Sequence, residues 1–192
     1  MRGRGEMTRF IKLPFRLHEG TPWVPPLLVE RREFLDSSKN PYFDHAEVEF
    51  MLAWRDGEPV GRISAQIDQR WDEFQGGKDA QFGFIEAEDD PEIFSALFAA
   101  AGQRSTRRRA YCSRAWAMDF TTNDECGLLI EGYDLHPLIL QPWHPPYYRE
   151  RIEAAGYGKT MDLLMWNLEM GGLKKGDRFA DAIHEVADKV ES

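Results

Sequence analysis

Cysteine is scarce: Cys112 and Cys126 are the only two in 192 residues. Two thiols in a chain of this size give neither a disulfide framework nor a metal-ligand spacing, and they are expected as free thiols in a reducing compartment. No uninterrupted apolar run approaches the roughly 20 residues of a membrane-spanning helix, and no apolar stretch follows the basic start Met1-Arg2-Gly3-Arg4 to make a secretion signal. A cytoplasmic location with no membrane partner is the expectation. Positive charge is also short. Lys and Arg total 24 against 33 Asp and Glu, a net charge of −9, which argues against non-specific binding to nucleic acid. Internal repeats are absent.

What remains reads as a globular α/β chain: 42% of residues are hydrophobic and 12% aromatic, enough for one core. Residues 1–8 are small and charged and are expected to fray. The prolines from Pro14 to Pro26 should keep the following segment extended, until Pro26 opens a short helix through Leu28 and Arg31 to Leu35. Asn40-Pro41-Tyr42-Phe43 marks a turn. A hairpin follows, with Val48, Phe50, Leu52 and Trp54 alternating before Asp56-Gly57 and Ile63, Ala65 and Ile67 returning. Residues 81–86 supply a third strand after a loop holding Gly76-Gly77.

Asp90-Pro91 opens a helix with Ile93, Phe94, Leu97, Phe98 and Ala101 on one face. Residues 147–155 form another, with Arg149 and Glu153 four apart and Gly156 as the stop. Residues 160–168 are apolar on both faces, as in a central strand. After Gly171-Gly172, Phe179, Ile183, Val186 and Val190 form the stripe of a last helix. The fold expected is a mixed, largely antiparallel sheet flanked by helices.

The order of these elements resembles the acyl-CoA N-acyltransferase (GNAT) superfamily. The run from Tyr147 through Ile152 to Gly156-Tyr157 is similar to the late helix of that superfamily, which ends in Gly-aromatic before a final strand. Trp23-Val24-Pro25-Pro26, Val60-Gly61-Arg62-Ile63, Thr121-Thr122-Asn123-Asp124-Glu125 and Pro145-Pro146-Tyr147-Tyr148 resemble a bacterial GNAT-like group usually about twice this length. The resemblance covers residues 9–190. It implies domain limits of 1–8, 9–170 and 171–192, an opening strand and a second half lying outside this chain, and self-association or pairing with that half.

The resemblance also implies acyl transfer from acetyl-CoA or another acyl-CoA to a small-molecule amine. Asp124 or Glu125 would be the base and Tyr147 or Tyr148 the acid, while Thr122, Asn123, Trp143 and His144 would contact substrate. The superfamily's usual tyrosine position is here Ile152. Its diphosphate-binding glycines are missing too, because the approach to Pro91 reads Glu86-Ala87-Glu88-Asp89-Asp90. Five carboxylates from Glu86 to Glu92 should repel coenzyme A from that helix. The alternative is a non-catalytic module of the same fold, used for packing or ligand recognition.

Three local readings stay open. Residues 119–131, with Thr121 to Glu125 crowding five polar groups, are either a site whose carboxylate deprotonates an amine or a solvated Asx-type turn, and Tyr148 either donates a proton or packs on the sheet. Trp143 and His144 either line a cleft or plug a core; the spacing of His136 and His144 fits no metal-ligand pair. Arg104, Arg107, Arg108, Arg109 and Arg114 offer a third function, a phosphate or nucleic-acid patch, or else a solvated helix end. Ala115-Trp116-Ala117 departs from the family's usual approach to Met118, a break that an out-of-frame stretch of the gene would produce.

Overall fold

The computed structural model describes residues 3–76, 79–107 and 115–165. The chain divides into two compact units, Met1–Lys159 and Thr160–Ser192. Gly77, Arg108, Arg109, Cys112, Arg114 and the whole expected C-terminal helix lie outside the described residues.

The first unit is α/β, with a four-stranded sheet in the order β1-β2-β3-β4. Strands β1 (Ala46–Arg55) and β2 (Glu58–Asp68) form the expected hairpin. Asp56 and Gly57 turn it with φ of 51° and 84°, the left-handed pair that a two-residue hairpin loop demands. Strand β3 (Ala80–Ala87) continues the antiparallel meander, and β4 (Ala115–Ala117) pairs parallel with its start.

Two cores cover the two faces of the sheet. On one, Ile93, Phe94, Leu97, Phe98 and Ala101 of α4 (Pro91–Arg107) meet Ile63, Ala65, Phe82 and Ile85, and Tyr148 and Ile152 of α5 (Tyr147–Ala154) complete the cluster. Both helices start where the sequence predicts, and Arg149 pairs with Glu153 at 3.0 Å. The other core gathers Phe10 and Ile11 of α1 (Arg4–Leu17), Leu35 after α2 (Leu28–Phe34), Tyr42 of a 3-10 turn (Pro41–Asp44), and Phe50, Phe84 and Phe120. A short α3 (Gln69–Gln75) links β2 to β3, capped by Asp68 and closed by Gly76 at φ 67°.

Two expectations need correction, and one expected strand is irregular. Residues expected to fray and run extended form α1, because Phe10, Ile11, Leu13 and Pro14 make one buried face. Pro14 removes the amide that would satisfy the carbonyl of Phe10, and Arg62 Nη1 donates to that oxygen at 2.8 Å instead. Residues 160–165 carry no strand. Apolar content does not make a strand without a ladder partner, and the rest of the predicted span, 166–168, lies outside the described residues. Finally, β3 does not alternate simply. Phe82 packs in one core and Phe84 in the other, although two residues apart in a strand should share a face.

The cause is a bulge. Ser64 pairs with Gly83 and Arg62 with Glu86, so Phe84 and Ile85 together oppose Ile63. Phe84 sits at φ 50°, a conformation that bulky residues rarely adopt. Gly83 is required beside it, since a Cβ there would lie 2.2 Å from the Met118 carbonyl oxygen and 2.7 Å from Asp119 Cα.

Candidate functional site

Beyond Ala117 the chain leaves β3 and folds back on itself. Asp119 N–H donates to Glu125 O at 2.9 Å and Gly127 N–H to Ala117 O at 2.8 Å, with Met118 and Cys126 bridged between them. This small ladder sets Asp119 opposite Glu125. A small cleft of about 40 Å3, open to solvent, lies between the ladder and the bulged stretch 83–86. Arg31, Arg62, Glu86, Asp119, Glu125 and His144 supply its charged and titratable walls.

Two carboxyls and one guanidinium form the first wall. Arg31 Nη1 lies 3.4 Å from Asp119 Oδ2, and Arg31 Nη2 lies 3.2 Å from Glu125 Oε1. Asp119 Oδ1 accepts the Phe84 amide at 2.9 Å, so the bulge holds the carboxyl in place. Burial pushes Asp119 up to about 7, with Glu125 adding to the shift and Arg31 opposing it. Burial also raises Glu125. Its side chain is 38% exposed, so cleft water offsets part of that effect and Asp119 carries the larger perturbation.

A second group in the lining belongs to a buried network. His18 Nε2 lies 2.6 Å from Glu86 Oε2, and Tyr148 donates its hydroxyl hydrogen to the same oxygen at 2.9 Å. Arg62 approaches Glu86 Oε1 at 3.7 Å. Burial would raise Glu86, but the hydrogen bond from His18 and the charges of His18 and Arg62 outweigh it and hold the carboxyl below its ordinary value. His144 is buried beside this network. Its Nδ1 accepts the Leu129 amide at 3.4 Å, and burial lowers its pKa to about 4, against the pull of Glu86.

The residues expected from sequence divide accordingly. Glu125 and His144 line the cleft. Asp124 accepts both the amide and the hydroxyl of Thr121, whose oxygen in turn accepts the Asn123 amide in a threonine turn, and Thr122 and Asn123 are exposed there. Trp143 is buried, edge-on to His18, and donates Nε1–H to Tyr133 O. Tyr147 donates to Ala87 O at 2.8 Å. Tyr148 is fully buried, accepts the Ala87 amide and donates to Glu86. Neither tyrosine lines the cleft. Asp119 opens the segment 119–131 read from sequence as a candidate site, without a role of its own; Arg31, Arg62, Glu86 and His18 were not singled out as site residues, and no short-range spacing joins positions so far apart in the chain.

The opening of α4 is occupied by its own side chains. Asp90 Oδ1 accepts the Glu92 amide at 2.8 Å. Arg55 pairs with Asp90 at 2.8 Å, Arg16 with Glu88 at 2.9 Å and Arg151 with Asp89 at 2.9 Å. Residues already capped in this way do not fit a coenzyme A diphosphate. No group of three or more His, Cys, Asp or Glu suited to a metal occurs among the described residues. None of the described helices is long and apolar enough to cross a membrane.

No family model matches the sequence. The chain is 43% identical over 169 residues to the bacterial ceramide synthase of Caulobacter vibrioides (strain NA1000 / CB15N), across 87% of this chain and 44% of that protein. It is 38% identical over 188 residues to protein YghO of Escherichia coli (strain K12), across 97% of this chain and 47% of that protein. The chain thus spans about half the length of the curated relatives it matches. A crystal structure of a probable acetyltransferase aligns at a TM-score of 0.48 and 10% identity, across 87% of this chain and 93% of that one.

Proposed function

We propose that this chain carries the acid–base side of an N-acyltransferase site, which joins an acyl group from a thioester to a primary amine. The observation that carries the reading is the Asp119–Glu125 pair facing Arg31 in the cleft. An aliphatic amine is an ammonium ion at neutral pH and must lose a proton before it attacks. A carboxyl whose pKa lies near 7 is matched to that task. In the step, the ammonium gives one proton to the carboxyl pair, the freed amine nitrogen bonds to the carbonyl carbon, and the C–S bond breaks; the second proton that nitrogen sheds ends on the departing thiolate, leaving an amide and a thiol. Asp119, with Glu125 beside it, takes the role that sequence alone gave to Asp124 or Glu125.

The ceramide synthase relative supports the product class, because a ceramide is the amide of a fatty acid with a long-chain amino alcohol. Acyl-CoA is the donor implied by the fold resemblance, with its diphosphate held away from the acidic opening of α4. The test is to incubate the chain with palmitoyl-CoA and a long-chain amino alcohol and to assay the amide by mass spectrometry. Product is expected, and Asp119→Asn with Glu125→Gln should remove most of it. An undiminished rate in the double variant would make the carboxyl pair structural.

A second reading has one observation in its favour. The α4 opening is capped and ion-paired, as suits a packing or recognition module that binds no donor. Absence of product, with no binding of palmitoyl-CoA, would select it.

A further inference from the structure

We infer that His144 is a fixed N–H donor to the acyl carbonyl, holding through Nε2 the oxygen that becomes an oxyanion. The inference rests on the N-acyltransferase reading and adds a role for a second residue of the cleft that Asp119 lines. It starts from the tautomer. The Leu129 amide donates to Nδ1, so a neutral ring must carry its hydrogen on Nε2. His144 lines the cleft, and Nε2 is the ring nitrogen left to serve it.

The ring is held rather than free. It lies over Tyr148 with centroids 5.1 Å apart and planes 38° apart. Tyr148 is anchored twice through its hydroxyl, to Glu86 Oε2 and to the Ala87 amide. Glu86 is in turn fixed by His18. Pro145 follows directly and restricts the backbone of His144. Burial keeps the imidazole neutral at physiological pH, so it has one hydrogen to aim and no positive charge to lose.

A preorganised donor of this kind acts where charge develops. As the amine attacks, the carbonyl π pair moves onto oxygen, and Nε2–H stabilises it. Collapse restores the C=O bond and expels the thiolate, which takes the second proton that nitrogen sheds, relayed by water. The ammonium's first proton goes to the carboxyl pair, and His144 keeps its own throughout.

The test combines kinetics with the 13C carbonyl resonance of bound [1-13C]octanoyl-CoA. His144→Ala should lower kcat by about 100-fold, the typical loss on removing one such donor, with KM little changed. His144→Gln, whose amide can still donate, should recover part of that. The carbonyl resonance should move downfield on the wild-type chain and revert in His144→Ala. Unchanged kcat in His144→Ala, or a pH–rate limb that vanishes in His144→Gln, would overturn the fixed-donor role. A wild-type chain that forms no amide would remove the function reading while the carbonyl resonance decides this one. With no shift dependent on His144, the donor role falls as well.

Discussion

Asp119 is the residue whose protonation most changes the molecule. Its folded pKa is raised to about 7 from an ordinary 3.8, so between those values the folded chain holds a proton that the unfolded chain has lost. Asp119 therefore favours folding at low pH, and that contribution disappears as pH rises from about 4 through 7. His144 works in the opposite sense. Its folded pKa is lowered from 6.5 to about 4, so stability is lost as pH falls through that interval. Asp119→Asn keeps an acceptor for the Phe84 amide and removes the titration. We expect the variant to gain melting temperature over wild type at pH 8 and little at pH 5. Parallel curves of melting temperature against pH for the two proteins would contradict the assignment. Sequence places Asp119 at the edge of a candidate segment, 119–131, but as one of 33 Asp and Glu it shows no perturbation there. Its perturbation comes from burial, with Glu125 adding and Arg31 and the Phe84 amide opposing, an environment that only the fold brings to it.

Among the elements, legibility followed how locally each is determined. The β1–β2 hairpin was readable because two adjacent residues must adopt positive φ, and Asp-Gly does so readily. Helices α4 and α5 were readable because periodicity, cap and stop agree over a few turns. Helix α1 was missed for a physical reason. Pro14 reads as a breaker, and the partner that accommodates it, Arg62, is 52 residues ahead of the carbonyl it satisfies. Strand β4, with three residues, is too short to show a period. The β3 bulge was hidden because Gly83 carries no side-chain signal. Its importance is testable. Gly83→Ala forces a Cβ into the backbone of Met118 and Asp119, and backbone cannot move aside as a side-chain tip can. A loss of about 3 kcal/mol or more is expected, read by urea unfolding. Gly102→Ala, which meets nothing within 4 Å inside a helix, should instead be neutral or stabilising. Equal effects from both would refute the close-approach argument.

At the scale of the whole fold, the acidic run before α4 is met by arginines in pairs rather than left as a field. A net −9 suggests an acidic surface, yet Glu88, Asp89 and Asp90 before α4 each meet an arginine, from α1, α5 and β1 respectively. These arginines come from three distant stretches of sequence and converge on one helix opening. Such exposed pairs contribute little stability individually, about 0 to 1 kcal/mol. Their larger consequence is for ligands. A diphosphate approaching α4 would have to displace the Asp90 cap from the Glu92 amide and draw at least one arginine from its carboxylate, beside two further carboxylates. Pro91 offers no amide at all. Free coenzyme A, which lacks an acyl chain to add apolar contact, should therefore bind more weakly than about 0.1 mM by calorimetry. Asp90→Asn with Glu92→Gln removes two negative charges while leaving a side-chain oxygen able to cap the helix. Affinity should rise modestly in that variant if like-charge repulsion sets the limit. Micromolar binding of coenzyme A to the wild-type chain, weakened by Arg55→Gln or Arg151→Gln, would place the diphosphate on this helix after all. The arginines would then be ligands rather than partners of the acidic run.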